Sequence, residues 1–217
     1  MIASELISES VQPALLDMDG EQVLQSMQMY DIVHLPVVDQ GKLLGMISEE
    51  EILKNNIESP IETYLPYLEK GSVSKNDHLF EVLRKITDTD FTCIPVVGDE
   101  QQYLGTITRA DLFDYYLKSF AWTAPGSILV IELAEARFSL SEISHIIESE
   151  NAMIISSIVS HPSESRTLLT LKINKTDVTR IVAALRRYDY DVTTFSEEEV
   201  IDNFKERFDA LMRYLDV

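Results

Sequence analysis

Two pairs of residues in this sequence place a hydroxyl three positions before a carboxylate. Thr108 precedes Asp111, with Arg109 between them, and Ser48 precedes Glu51. At the start of a helix, exposed backbone N–H groups and the helix dipole favour a phosphate group. A short carboxylate there can accept hydrogen bonds from the hydroxyls of a ribose, and Arg109 adds a positive charge for phosphate. The same spacing is also that of a capping box, which stabilises a helix start without any ligand.

The surroundings of the two pairs are repeated along the chain. His-Leu-Pro-Val-Val-Asp at 34–39 returns as Cys-Ile-Pro-Val-Val-Gly at 93–98, and Leu-Gly-Met-Ile-Ser at 44–48 returns as Leu-Gly-Thr-Ile-Thr at 104–108. The equivalent prolines are 59 positions apart and the equivalent glycines 60, so the turn between them gained one residue. An ordered duplication of this kind indicates one supersecondary unit that is used twice and packs against its own copy.

Each copy is predicted to contain a strand, a helix, two strands and a second helix. Apolar residues at helical spacing begin near Gly20 and near Leu79, and extended apolar segments follow each of these helices. The hydroxyl residues then begin helices predicted over 49–55 and 109–118. A domain boundary is expected at Thr123-Ala124-Pro125-Gly126, because Pro-Gly ends the preceding helix and no third copy follows.

The chain beyond this boundary has a different pattern. Strands are predicted over 128–133, 153–159, 168–173 and 192–195, helices over 140–147 and 178–185, and a turn over 161–164. This β-α-β-β-α-β order is that of the ferredoxin-like sandwich. A last helix carries an apolar stripe from Val200 to Leu215, which we expect to dock on its own domain or on a twin. The predicted fold class is α+β, with domains over 1–59, 60–122 and 126–217.

The composition indicates a globular protein of the cytoplasm. The chain has 217 residues with 37 acidic and 18 basic side chains, a formal net charge of −19. Such a charge repels nucleic acid and anionic membranes, so neither is expected as a partner. The single cysteine favours a reducing compartment, and acidic residues among the first twenty argue against a signal peptide.

The doubled unit resembles a tandem pair of CBS domains, the modules named for cystathionine beta-synthase. The resemblance rests on Pro-Val-Val, Leu-Gly, Ile-[Ser/Thr] and the carboxylate three residues later, which occur twice at matching spacing. It implies two clefts, either of which can bind AMP, ADP, ATP or a related adenosyl ligand as a regulatory signal. The residues that match the expected nucleotide-binding positions are Thr108, Arg109, Asp111, Pro95, Ile94, Ser48, Glu51 and His34.

The first copy departs from the pattern, because Glu51 replaces the aspartate and Glu49 stands where the second copy has Arg109. If only one cleft binds nucleotide, we expect it to be the one beside Asp111. His34 can alternatively be a strand-end residue satisfied by backbone, and Cys93 is expected to be a small buried residue rather than a reactive thiol.

Residues 126–195 are similar to ACT domains, ferredoxin-like modules that regulate amino-acid metabolism. This resemblance rests on topology. The turn over 134–139 has Phe138 where the family has a glycine, which argues against amino-acid binding and favours dimerisation through a sheet edge.

Catalytic constellations are not found in the sequence. The four histidines are scattered without metal-ligand spacing, and no glycine-rich phosphate loop occurs. We therefore predict a non-catalytic regulatory homodimer without metal or resident cofactor. The alternative is a ligand-free scaffold that mediates dimerisation and docks an unknown protein partner.

Overall fold

The computed structural model describes residues 1–8, 10–119, 124–133, 139–163 and 166–195. The chain divides into two compact units, Met1–Ser119 and Phe120–Val217. Thr123 of the predicted boundary, Phe138 and the predicted helix from Val200 to Leu215 lie outside the described residues.

The first unit contains two copies of the same element order. The first copy comprises β1 (Ala14–Leu15), α1 (Gly20–Tyr30), β2 (His34–Asp39), β3 (Lys42–Ser48) and α2 (Glu49–Leu53). The second comprises β4 (Val73–Ser74), α3 (Leu79–Thr89), β5 (Cys93–Val97), β6 (Tyr103–Thr108) and α4 (Arg109–Ser119). We call these the first and second repeat; their elements match those predicted from the sequence.

The helices of the two repeats begin and end in related ways. Asp19 caps α1, accepting a hydrogen bond from the Gln22 amide at 2.8 Å, and its own amide donates to the Gln22 side chain at 3.1 Å. Both α1 and α3 end on an aspartate with positive φ, 55° at Asp31 and 57° at Asp90. Aspartate tolerates this left-handed conformation better than most residues, so both helices stop at the same point of the repeat.

Each repeat forms a three-stranded sheet, in which a parallel strand precedes an antiparallel hairpin. The β2–β3 turn consists of Gln40 and Gly41, with φ of 47° and 77°. The β5–β6 connection contains a 3-10 turn at Asp99–Gln101 and is longer. The residue gained between the proline and glycine motifs therefore lies in this turn.

The hydrophobic core of each repeat includes residues from the segment that precedes the other repeat in the chain. Ala3 and Leu6, in and just after the 3-10 helix Ala3–Glu5, are buried with Val82 and Ile107 of the second repeat. Ile61 and Tyr64 of the 3-10 helix Ile61–Tyr67 are correspondingly buried in the first repeat's core, which also contains Val23 and Leu35. Each repeat is thus completed by residues that precede the other repeat in the chain.

The glycines of the Leu-Gly motifs allow these segments to pack directly against strands β3 and β6. A Cβ on Gly45 would lie 2.8 Å from Leu68 Cβ and 2.9 Å from the Glu69 carbonyl oxygen. A Cβ on Gly105 would collide with Ile7 in the same way. The motif therefore has glycine twice because a crossing chain lies against both strands.

The second unit contains β7 (Ser127–Leu133), α5 (Leu140–Ser149), β8 (Ile154–Ser163), β9 (Arg166–Ile173), α6 (Thr179–Arg187) and β10 (Asp191–Phe195). Its antiparallel sheet has the order β10-β7-β9-β8. Buried residues alternate along β7 and pack with the apolar faces of α5 and α6.

The turn predicted at 161–164 differs from the structure. Strand β8 continues to Ser163, which pairs with Arg166, so His161 and Pro162 are strand residues. Proline is compatible with this position because β8 is an edge strand of the sheet. Glu164, the last residue of the predicted turn, lies outside the described residues.

Within the described ranges, no helix has both the length and the apolar character required to cross a bilayer.

Candidate functional site

The start of α4 holds the predicted pair Thr108 and Asp111 in a reciprocal capping arrangement. Asp111 Oδ2 accepts hydrogen bonds from the Thr108 amide at 2.8 Å and from Thr108 Oγ1 at 2.5 Å. The Asp111 amide donates to Thr108 Oγ1 at 3.0 Å. The hydroxyl and the carboxylate that the sequence predicts as ligand-binding groups thus bind each other at the helix start.

The start of α2 is built differently. Ser48 Oγ accepts a hydrogen bond from the Glu51 amide at 3.2 Å. The Glu51 carboxylate instead lies along the helix, accepting from Asn55 Nδ2 at 3.2 Å and lying 4.0 Å from Lys54 Nζ. The longer glutamate side chain directs its charge away from the helix start, so the two repeats present different groups at equivalent positions.

Arg109 is bound to the loop between α3 and β5. Its Nε donates to the Phe91 carbonyl oxygen at 3.0 Å, and its Nη2 donates to the carbonyl oxygen and to Oδ1 of Asp90 at 3.0 and 2.9 Å. Both side chains of the Arg109–Asp90 ion pair are open to water, the Asp90 side chain to 98%. Exposed pairs of this kind are worth at most about 1 kcal/mol, so an incoming phosphate can compete for the guanidinium.

The His34 side chain, which belongs to the first repeat, contacts the loop between α3 and β5 of the second repeat. The Thr92 amide lies 3.4 Å from His34 Nδ1, and the His34 ring is 5.1 Å from the ring of Phe91. Burial lowers the pKa of His34; the Arg109 charge adds to this, while Glu69 and Asp90 oppose it. His34 therefore lies within the electrostatic reach of both Arg109 and Asp90.

Cys93, at the position equivalent to His34, is fully buried. Its Sγ donates to the His34 carbonyl oxygen at 3.1 Å. Burial, with a smaller contribution from the negative charge of Asp111, raises the pKa of the Cys93 thiol to about 12. The expectation that Cys93 is a small buried residue is confirmed.

Ile94 and Pro95 lie inside β5 and are buried. Ile94 pairs with Ile107, and Pro95 pairs with Thr106, whose hydroxyl is 2.7 Å from that of Tyr103. The strand register sets His34 opposite Ser48 and Cys93 opposite Thr108. Since Cys93 and His34 touch, both helix starts flank the contact between the two repeats.

Sequence reasoning did not identify the residues between α3 and β5 that hold this junction together. The Val33 amide donates to Thr92 Oγ1 at 3.0 Å, and Asp90 and Phe91 bind Arg109. The repeat alignment contains one signal, since Thr92 has a hydroxyl where the first repeat has Val33.

Residues 3–58 and 70–118 match the sequence model of the CBS domain. The first unit is a tandem pair of CBS domains. Over 99 residues it is 28% identical to a CBS domain-containing protein of Methanocaldococcus jannaschii, an alignment that covers 45% of this chain and 80% of that protein.

Solved structures of CBS proteins are similar to it as well. A CBS domain pair/ACT domain protein from Thermotoga maritima superposes with a TM-score of 0.49 at 18% identity, covering 55% of this chain and 98% of that one. The protein CBSX2 in complex with AMP superposes with a TM-score of 0.44 at 16% identity, covering 54% of this chain and 97% of that one.

Proposed function

We propose that this protein is a non-catalytic regulatory sensor whose CBS pair binds an adenosyl ligand such as AMP, ADP or ATP beside Asp111. CBS pairs are typically regulatory modules, and several of them bind adenosyl ligands. The observation that carries the proposal is the Thr108–Asp111 arrangement at the start of α4, next to Arg109. It combines helix N–H groups, a short carboxylate and a cation at one point of the fold.

The two repeats differ in their suitability for this ligand. Asp111 and Arg109 stand where the first repeat has Glu51 and Glu49. The Glu51 carboxylate is directed along α2, and Glu49 adds negative charge where a phosphate needs a cation. Binding at the second repeat requires Asp111 to exchange its bonds with Thr108 for ribose hydroxyls, and Arg109 to exchange exposed Asp90 for phosphate. Both exchanges replace one set of charge-assisted contacts with another, and the Arg109–Asp90 pair is the weaker of those given up because it is exposed.

A thermal-shift titration with AMP, ADP, ATP, S-adenosylmethionine and NAD tests this proposal. A ligand bound only by the native state at a hundred times its Kd stabilises the protein by about 2.7 kcal/mol. We expect Asp111→Asn to abolish the shift that AMP gives and the matched change in the other repeat, Glu51→Gln, to preserve it.

A ligand comparison separates lost recognition from lost folding. If the Asp111 carboxylate binds the ribose, removing the ligand's 2′-hydroxyl weakens binding to the wild type and has little further effect on Asp111→Asn. No shift with any of the five ligands at millimolar concentration contradicts the sensor function.

The second unit is proposed to be a ferredoxin-like, ACT-type domain that receives the signal. The β-α-β-β-α-β order and the sheet order β10-β7-β9-β8 support this assignment. Hydrogen exchange of the whole chain with and without ligand tests the relay, which requires changed protection in β7 to β10 as well as around α4. A change confined to the first unit contradicts signalling through the second.

We further propose a cytoplasmic homodimer in which the β8 edges of two chains pair. Residues 154–161 carry no charged side chain, in a chain of net charge −19, and Ile158 and Val159 are exposed. A neutral, exposed edge strand is a template for pairing with a second copy. Val159→Lys is expected to weaken the dimer.

The alternative is a ligand-free scaffold for an unknown protein partner. It is supported by the engagement of Asp111 with Thr108 and of Arg109 with Asp90, which satisfies both groups without a ligand. A partner recovered equally well by wild type and Asp111→Asn, with no nucleotide added, favours this function over sensing.

A further inference from the structure

A cavity of about 450 Å³ lies between the first repeat's hairpin, the segment that links the repeats, and the second repeat. Lys70 and Lys85 are its charged lining residues among those the structure describes, and no described carboxylate lines it. None of the eight predicted nucleotide-binding residues lines it. We infer that this cavity binds a small phosphate-bearing anion, at a site independent of the one proposed beside Asp111.

Eight of the fourteen described lysine and arginine side chains, Lys70 and Lys85 among them, have no described carboxylate within 4.0 Å. Six others form ion pairs within 4.0 Å, those of Lys54, Lys75, Arg84, Arg109, Lys118 and Arg166. Among the described residues, neither Lys70 nor Lys85 has a carboxylate oxygen at that distance.

Their local contacts leave the positive charge in place. Lys70 Nζ donates to the Leu44 carbonyl oxygen at 2.6 Å, which orients the ammonium group without neutralising it. An ammonium has three donors, so one such bond leaves capacity for an anion. Lys85 is half-buried on α3. The nearby Glu81 carboxylate accepts hydrogen bonds from Arg84 at 2.6 and 3.1 Å, and Arg84 lowers the pKa of Glu81 with only a small further contribution from Lys85.

The duplicated architecture supplies an internal comparison. Val23 and Val82 are equivalent, so the position of Lys85 in the first repeat is occupied by Ser26. Leu68 and Ile7 contact equivalent glycines, so the counterpart of Lys70 is Glu9, which lies outside the described residues. The repeat therefore folds without lysine at these positions, and the cations belong to this cavity rather than to the scaffold.

The rest of the lining fits a phosphate attached to an apolar or aromatic group. Gly71 also lines the cavity and packs against Phe91, where a Cβ would lie 2.6 Å from Cε2. Leu43 and Leu44 provide a half-buried apolar wall, and Ser72 adds a hydroxyl. A volume of this size lies within the range of small-molecule sites.

Calorimetric titration of the full chain at low salt, with inorganic pyrophosphate, AMP and ATP as probes, tests the inference. We expect pyrophosphate and ATP to bind and the affinity to fall as salt increases. Lys70→Gln and Lys85→Gln should each weaken binding about tenfold, because each removes a charge-assisted contact. Lys54→Gln changes the net charge equally at an exposed residue just after α2 and should leave both affinities unchanged.

The variants distinguish the lysine cavity from the site beside Asp111, and the probes distinguish free pyrophosphate from a nucleotide as the source of the phosphate. Asp111→Asn should retain pyrophosphate binding, whereas the double variant Lys70→Gln/Lys85→Gln should lose it and Lys70→Arg/Lys85→Arg should keep it. ATP binding that needs both lysines while pyrophosphate binds weakly supports the site and assigns its ligand to nucleotides. The inference is overturned if no polyphosphate binds the wild type at millimolar concentration, or if the double variant, folded by circular dichroism, binds as the wild type does.

Discussion

The Sγ of Cys93 donates a hydrogen bond to the main-chain oxygen of His34 at 3.1 Å, joining the two residues that occupy the same position in the two repeats. Each begins the middle strand of its sheet, and each pairs with the hydroxyl residue that starts the following helix, Ser48 or Thr108. The candidate sites of the two repeats therefore meet at one contact. After the effect of burial, the negative charge of Asp111 further raises the pKa of Cys93, and the positive charge of Arg109 further lowers the pKa of His34.

The Cys93 thiol should be unreactive in the native protein. With its pKa raised to about 12 from an unperturbed 9.0, its thiolate fraction at pH 8 falls on the order of a thousandfold, and burial blocks access as well. Titration with a thiol reagent should give no prompt reaction in buffer and one equivalent in denaturant. Prompt reaction of the native protein contradicts the buried contact with His34.

Stability should decrease as the pH falls below about 6.5, and His34 should account for part of this. Burial lowers the pKa of His34 in the folded state, so the unfolded chain takes up the proton first. The stabilisation by neutral His34 is fully present above the pKa of His34 in the unfolded chain. It is lost progressively as the pH falls from that value to the lower pKa of the folded state. Between about pH 7.5 and 5.5, the urea midpoint should decrease less with falling pH in His34→Gln than in wild type. In exposed His145→Gln it should decrease as much as in wild type. Equal decreases in all three proteins would show that His34 is not buried as described.

Gly45→Ala should destabilise the first unit by about 1–3 kcal/mol. The new Cβ would meet Leu68 Cβ and the Glu69 carbonyl oxygen at under 3.0 Å, so the crossing segment has to move. Gly98→Ala is the matched control, because its Cβ would have neighbours at 3.4 to 3.6 Å. That substitution should change the unfolding free energy by no more than about 0.5 kcal/mol. Equal costs for the two variants argue against the close approach at Gly45.

Leu6→Ala should weaken the second repeat, although the residue precedes the first. Leu6 is buried in the cluster that contains Val82 and Ile107, so its truncation leaves a cavity costing about 2–4 kcal/mol. Hydrogen exchange should accelerate in β5 and β6 rather than in β2 and β3. Exposed Ser4→Ala should leave exchange unchanged, and loss of protection confined to the first repeat would contradict the burial of Leu6 in the core of the second.

The proposed homodimer should tighten as ionic strength rises. Two chains bring together twice a net charge of −19, and salt screens this repulsion without weakening apolar contacts. Light scattering at tens of micromolar protein should give a dimer mass at moderate salt and a smaller mass at low salt. A monomer mass under both conditions means that this prediction is wrong.

The local pattern of the sequence was sufficient for the elements and for the duplication. The strand and helix periodicities of α1, β2 and β3 and of their second copies, and the hydroxyl caps at Ser48 and Thr108, are set by residues close in the chain. The β-α-β-β-α-β order of the second unit was readable for the same reason. The predicted end of β8 is wrong, because Pro162 indicates a turn except on an edge strand, and edge position is a property of the whole sheet.

The tertiary structure alone determines which residues distant in the chain contact one another. Nothing near Gly105 in the chain indicates that Ile7 lies against it, and nothing near Arg109 indicates that Asp90 and Phe91 bind its guanidinium. Nothing in the sequence singles out Lys70 and Lys85, which are fifteen positions apart. Their common cavity arises when the linker crosses β3 and α3 packs beside it, because burial, register and charge pairing depend on distances in space that no local pattern encodes.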